Sequence, residues 1–190
     1  MPDLIVENKT FETQSYPQDE LQKAEYDNCL FKDCNFSDAN LPDIVFTECR
    51  FEDCDFSLAN LSNTSLKEVS FESCKLTGIR FSDCNDFLLE IHFDECVLNL
   101  ASFYKLDLKG TVFKNCLLSE ADFSETNLTE ATFENCDLHN AIFERTNLNK
   151  ADLRTAYNYA IDPELNSMTK ARFSLKGVSG LLLKYDIEIE

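Results

Sequence analysis

A hydrophobic residue stands at every fifth position through most of this 190-residue chain. The series runs Tyr26, Phe31, Phe36, Leu41, Phe46, Phe51, Phe56, Leu61, Leu66, Phe71, Leu76, Phe81, slips by two residues, and resumes at Leu88, Phe93, Leu98, Phe103 through to Leu153. A helix buries a period of 3.6 residues and a strand a period of two. A period of five satisfies neither. It requires a backbone that turns through a fixed angle per unit and coils into a solenoid.

The size of one coil is read from a second repeat. Cys34, Cys54 and Cys74 lie twenty residues apart, as do Cys96, Cys116 and Cys136, and the step from Cys74 to Cys96 absorbs the slip. These cysteines lie two before a central Phe or Leu. The same position on another side reads Ala39, Ala59, Ile79, Ala101, Ala121, Ala141. Four units therefore close one coil, and like residues recur because they stack. The reading is an all-β, four-sided parallel β-helix, with the centre and the residue two before it inward and the others outward. Such a stack is stabilised rung by rung and needs capped ends. The slip in residues 81–91 predicts a bulge or small corner loop, with Leu88 resuming the core series and Asp86 as the single charged member of the small-residue columns.

Three regions follow: 1–23 as an N-terminal cap and degenerate first coil opened by a strand at Leu4-Ile5-Val6, 24–155 as the β-helix, and 156–190 as a C-terminal cap. Asp162-Pro163-Glu164 has helix-start character. Ser174 predicts the cap of a second helix through Leu175, Val178, Leu181, Leu182 and Tyr185, and Ile187 and Ile189 alternate like a strand. This apolar end is larger than closing one coil requires, which points to a homodimer joined through it.

Net charge is −18, from 35 acidic and 17 basic residues. That argues against direct binding to nucleic acid or an anionic membrane and favours a basic protein partner. Sixteen Phe, nearly all in register, argue against the disorder that such charge can signal. The start shows no basic and apolar leader, and no apolar run is long enough to span a bilayer, so a cytoplasmic location is expected. Placed on the coil, the acids gather along one corner: Glu48, Glu52 and Asp53, then Glu68 and Glu72, then Glu90, Asp94 and Glu95. Stacked like charges cost stability, so this ridge is the candidate partner-binding surface. The alternative is a solvated face that keeps the wall soluble and blocks edge pairing.

No catalytic residue, metal or cofactor is expected. The nine cysteines run in lines, whereas a metal site needs ligands that converge. His92 and His139 lie on neighbouring sides more than two coils apart. No phosphate loop, nucleophile elbow or HExxH motif is present, and a rod with filled walls offers an enzyme no pocket.

The units ADFSE (121–125), TNLTE (126–130), ATFEN (131–135), CDLHN (136–140), AIFER (141–145), TNLNK (146–150) and ADLRT (151–155) resemble the pentapeptide repeat family, whose pattern is A(D/N)LXX. The resemblance covers about residues 24 to 155. It implies a right-handed quadrilateral β-helix with a short C-terminal helical cap. Similarity of the tail to Qnr-type proteins implies dimerisation through that end. The resemblance further implies a DNA mimic that binds DNA gyrase or topoisomerase IV and relieves quinolone or peptide-toxin inhibition. The competing reading is a structural or adaptor solenoid with a non-topoisomerase partner.

Overall fold

One side of a square coil is what each five-residue unit becomes. The computed structural model describes residues 4–16, 21–185 and 187–188. The central residue of a unit points inward, its two neighbours point outward, and the next residue turns the corner. Corner residues adopt the left-handed region, as at Glu48 (φ +52°) and Asp53 (φ +54°). That conformation costs a non-glycine residue about 1 kcal/mol or more. It also aims the corner N–H at the next coil: Asp53 donates to the Glu72 carbonyl at 3.0 Å.

Two sides are sheets. Strands β1 (Ile5–Glu7), β3 (Glu25–Asp27), β5 (Val45–Thr47) and β7 (Ser65–Lys67) form a four-stranded parallel sheet. A nine-stranded parallel sheet contains β2 (Thr10–Glu12), β4 (Leu30–Lys32), β6 (Arg50–Glu52), β8 (Val69–Glu72), β9 (Ile91–Asp94), β10 (Val112–Lys114), β11 (Thr132–Glu134), β12 (Asp152–Leu153) and β13 (Arg172–Phe173). Partners lie twenty residues apart, as in Phe31↔Phe51 and Phe51↔Phe71, except where Phe71 pairs with Phe93 across the slip. The remaining sides are held by single bridges such as Asn35↔Asp55 and Asn40↔Asn60. Nine strands at about 4.8 Å spacing give a stack roughly 38 Å long.

Phenylalanine fills the interior. Phe51, Phe71, Phe93 and Phe113 stack with centroids 5.1, 5.5 and 5.3 Å apart and rings within 13° of parallel. The first two full coils carry three aromatic rings each: Tyr26, Phe31 and Phe36, then Phe46, Phe51 and Phe56. From Phe71 onward rings occupy only two opposite sides, in pairs such as Phe93 with Phe103 and Phe113 with Phe123. Close packing fixes the enclosed volume. The second inward position is filled by small residues and, at Ile44, Ile79, Ile91 and Leu106, by larger apolar ones.

That second position also explains the cysteines. Sγ of Cys54, Cys74 and Cys136 lies 3.4 Å from the carbonyl oxygens of Phe31, Phe51 and Phe113, twenty-three residues earlier. Thr64, Thr126 and Thr146 donate in the same way to Leu41, Phe103 and Phe123, at 2.6, 2.8 and 2.8 Å. A small side chain with one donor satisfies the buried carbonyl and fills the wall.

The two extra residues form a corner bulge within the expected segment, but the inward residues around it differ from the sequence expectation. Ser65 still bridges Asn85 twenty residues on, so the insertion lies between Asn85 and Ile91. Cys84, not Asp86, occupies the small inward position, and Asp86 is exposed. Leu88 turns outward with φ +59°, and Leu89 packs against the core in its place. The four-stranded sheet ends at this level, since among the described residues no strand follows β7 on that side.

The C-terminal end also departs from expectation. Residues 163–166 form turns, and the apolar run from Ser174 folds into two 3₁₀ segments, Val178–Leu181 and Leu183–Tyr185. Close approach to Tyr159 explains this: a Cβ on Gly177 would fall 2.2 Å from the Tyr159 hydroxyl, and one on Gly180 2.2 Å from its carbonyl oxygen. The segment is pinned by Ile161 N–H donating to the Gly180 carbonyl (3.0 Å) and by Lys184 bridging Asp162 (2.6 Å) and Glu164 (2.7 Å). Ile187 lies in no strand, and Ile189 lies outside the described residues. Among the described residues no helix is long and apolar enough to cross a membrane.

Candidate partner-binding face

The outer surface of the nine-stranded sheet carries three of the eight acidic residues singled out in the sequence, and the other five lie at its bordering corners. Two rows of outward side chains run along it. One contains Lys32, Glu52, Glu72, Asp94, Lys114 and Glu134, aligned strand to strand by the register. The other contains Arg50, Ser70, His92, Val112 and Thr132.

The eight acidic residues do not share one corner. Glu52, Glu72 and Asp94 form three consecutive rungs of the first row. Glu48 and Glu68 turn the corner that leads into this side, and Glu90 closes the bulge at the same corner. Asp53 and Glu95 turn the corner that leads out of it. The ridge is thus a broad acidic panel, one side of the coil wide, with carboxylates on its face and both edges.

Its central rungs are partly neutralised by cations, two of which, Lys32 and Arg50, the sequence reading left out. Arg50 Nε lies 2.9 Å from Glu52, and its guanidinium also pairs with Glu72 on the next strand. Lys32 is 3.8 Å from Glu52. Lys114 lies 2.8 Å from Asp94, and that ammonium holds the Asp94 carboxyl below the usual carboxylate range. These pairs offset the repulsion expected of stacked carboxylates, although exposed pairs contribute only about 0–1 kcal/mol each. Arg50 was legible in principle: it immediately precedes Phe51 and so lies on the same outer surface. Among the described residues Glu48, Asp53 and Glu68 have no ion-pair partner, while Glu95 accepts from Ser73 Oγ at 3.2 Å.

The other chemical candidates lie elsewhere. All nine cysteines are buried and free, and burial pushes the Cys49 and Cys84 thiols up to about 12. These two thiols stay protonated at neutral pH and do not act as nucleophiles. His92 sits on the panel 3.6 Å from Glu90, and His139 faces outward on the neighbouring side. Among the described residues no group of three His, Cys, Asp or Glu side chains is placed to hold a metal ion.

The residues assigned to dimerisation fall into two sets. Leu175 is 94% exposed, and Val178, Tyr185 and Ile187 are also exposed. Leu181 packs against the core and Leu182 is half-buried, so these two serve to seat the cap.

A family model described as "Pentapeptide repeat region" matches residues 24–86 and 88–157, and its break falls at the bulge. A search of curated proteins returns no match. Solved structures with similar backbones include HetL, a pentapeptide repeat protein involved in heterocyst differentiation regulation in the cyanobacterium Nostoc. It is 19% identical, with 92% of this chain and 88% of that one covered and a TM-score of 0.57. A trypsin-treated variant of QnrB1, a plasmid-mediated fluoroquinolone resistance protein, is 19% identical over 95% of this chain and 98% of its own, with a TM-score of 0.50. At this identity the likeness is one of fold.

Proposed function

This chain belongs to the pentapeptide repeat family, and on that premise we propose that it is a DNA-mimicking rod that binds DNA gyrase or topoisomerase IV and protects it from quinolone or peptide-toxin inhibition. The observation that carries the reading is the acidic panel, with Glu52, Glu72 and Asp94 in register on three neighbouring strands and carboxylates on both bordering corners. The net −18 is spread over roughly 38 Å, or about one charge per 2 Å. Duplex DNA presents one per about 1.7 Å of axis. A groove built to hold duplex phosphates therefore meets a similar linear charge density here. Association by this route is electrostatically steered and salt-sensitive.

The test is gyrase supercoiling in the presence of ciprofloxacin, with this protein titrated in. Recovery of supercoiling, abolished by the triple variant Glu52→Lys, Glu72→Lys, Asp94→Lys with its fold intact, supports the proposal. No recovery together with no binding to the gyrase A subunit at low salt overturns it. A second reading, an adaptor solenoid for another protein, draws on the cations Lys32, Arg50 and Lys114 set among the carboxylates, a mixed pattern unlike a phosphate backbone. Binding to a non-topoisomerase partner that does not weaken with salt favours it.

The same proposal includes a cytoplasmic homodimer joined at the C-terminal end, supported by the exposed Leu175, Val178, Tyr185 and Ile187. Sedimentation equilibrium of the wild type and of Leu175→Asp reads it directly: a dimer that the substitution dissociates is expected, and a wild-type monomer at micromolar concentration rejects it.

A further inference from the structure

The bulge places two adjacent apolar side chains on the outside of a rod whose other corners are mostly polar. Phe87 is 67% exposed and Leu88 is 63% exposed, while Leu89 turns inward to complete the core. The two residues by which this coil exceeds the others are thus used to present hydrophobic surface, although Leu89 alone meets the needs of the interior. The presentation is fixed by hydrogen bonds. Phe87 N–H donates to Asn85 Oδ1 at 3.0 Å, Leu89 N–H to the Asp86 carbonyl at 3.3 Å, and Glu90 N–H to the Leu66 carbonyl at 3.0 Å.

Its position along the rod is the second observation. The bulge leads directly into β9, the fifth of the nine strands and so the midpoint of the panel. The apolar pair therefore stands at the middle of one edge, next to Glu90 and one side-width from Glu95, with Glu68 at the corner of the preceding coil and Lys109 and Gly110 at that of the following one. Protein interfaces concentrate their affinity in a few central aromatic or apolar anchors surrounded by a polar rim. On the far side of the bulge, Phe87 and Val45 wall a cleft of about 450 Å³ over the four-stranded sheet, where Lys23 and Lys67 also lie. Phe87 thus borders that cleft, while Leu88 does not line it.

We propose that Phe87 and Leu88 are the anchor of the partner interface, inserting into an apolar pocket that basic residues surround on the partner protein. Charge decides for this occupant over a second copy of the chain. The first 149 residues carry 29 acidic and 11 basic side chains, so two panels brought together at this edge repel each other. The inference deepens the reading of the acidic panel and rests on it. It divides the work of binding: the carboxylates set the association rate and salt dependence, and the apolar pair sets the lifetime of the complex.

The test measures binding kinetics to the purified gyrase A subunit for the wild type, Phe87→Ser/Leu88→Ser, and Glu52→Gln/Glu72→Gln/Asp94→Asn. Both substituted residues are exposed, so an unchanged melting temperature verifies the fold of the serine variant. The expected result is a dissociation rate about 30-fold faster or more for the serine variant, with its association rate and salt slope unchanged. The neutralised variant shows the reverse pattern. Wild-type binding that the serine variant retains within twofold overturns this inference and leaves the acidic panel standing. If the wild type does not bind gyrase, the gyrase reading fails by itself. Benzoylphenylalanine placed at position 87 then cross-links the true partner in cells, and that partner, once purified, is put through the same titration. A cross-link to a second copy, or none at all, overturns the proposal.

Discussion

Truncating Phe113 to alanine tests whether the rod is held together ring by ring. Phe113 is fully buried, stacked on Phe93 at 5.3 Å and Phe133 at 4.9 Å, with edge contacts to Phe103 at 5.7 Å and Phe123 at 5.8 Å. Burying such a ring contributes about 3 kcal/mol, and each aromatic pair adds about 0.5 kcal/mol beyond area. Losing the ring and its four contacts therefore costs about 5 kcal/mol, the upper part of the range for core Phe→Ala changes. Phe11, at the first coil, is half-buried and has two ring neighbours, Phe31 at 4.7 Å and Tyr26 at 6.0 Å. The same reckoning gives about 2.5 kcal/mol for Phe11→Ala. Guanidinium chloride unfolding followed by circular dichroism reads both values. A cost below about 2 kcal/mol for Phe113→Ala, or equal costs for the two variants, would falsify the account of stability as stacked rings with weaker ends.

Three further outcomes are expected. Arg50→Gln removes the cation shared by Glu52 and Glu72; it lowers the melting temperature by a few degrees at low ionic strength, and the difference vanishes near about 0.5 M salt if screening is the cause. Thr126→Val keeps the shape and deletes the donor to the Phe103 carbonyl, costing about 1–2 kcal/mol in chemical denaturation, where no loss would show that the carbonyl does not need the hydroxyl. Asp94, held low by hydrogen bonding to Lys114, and Asp152, held low by Arg154, have folded pKa values below their unfolded ones. Their contribution is complete above about pH 4 and is lost as pH falls through the depressed values. Melting temperatures should therefore hold from neutrality to about pH 4 and drop below it; a rise on acidification would mean that relief of carboxylate repulsion outweighs the ion pairs.

The β-helix was legible because a fivefold period and a twenty-residue echo leave little choice of backbone. The inward residues beside the bulge were misassigned for a reason that lies in the sequence. An insertion anywhere between Phe81 and Ile91 restores the same downstream phase, and the adjacent leucines at 88 and 89 both suit an inward position. Only the Ser65–Asn85 bridge decides between them. The acidic panel was found but drawn as a ridge, since counting along a chain does not distinguish the corner before a strand from the corner after it. Two of its cations, Lys32 and Arg50, were missed because the acids were followed from rung to rung and the residue just before each central Phe was not. At the C-terminal end, helical spacing of Leu175, Val178 and Leu182 outweighed a contrary signal: Gly177 and Gly180 are two of only four glycines in the chain. Both mark where backbone presses on Tyr159.

The change from three-ring to two-ring coils falls one coil before the bulge, and together they give an otherwise monotonous column a landmark. A tower of interchangeable storeys can be assembled one storey out of step with nearly every contact still satisfied. Here such a misalignment would set a trio of rings against a pair and force Phe87 and Leu88 into a corner made for one residue fewer. The irregular coil thus acts as a key that fixes the counting, so that each carboxylate is delivered to one height on the shaft and no other.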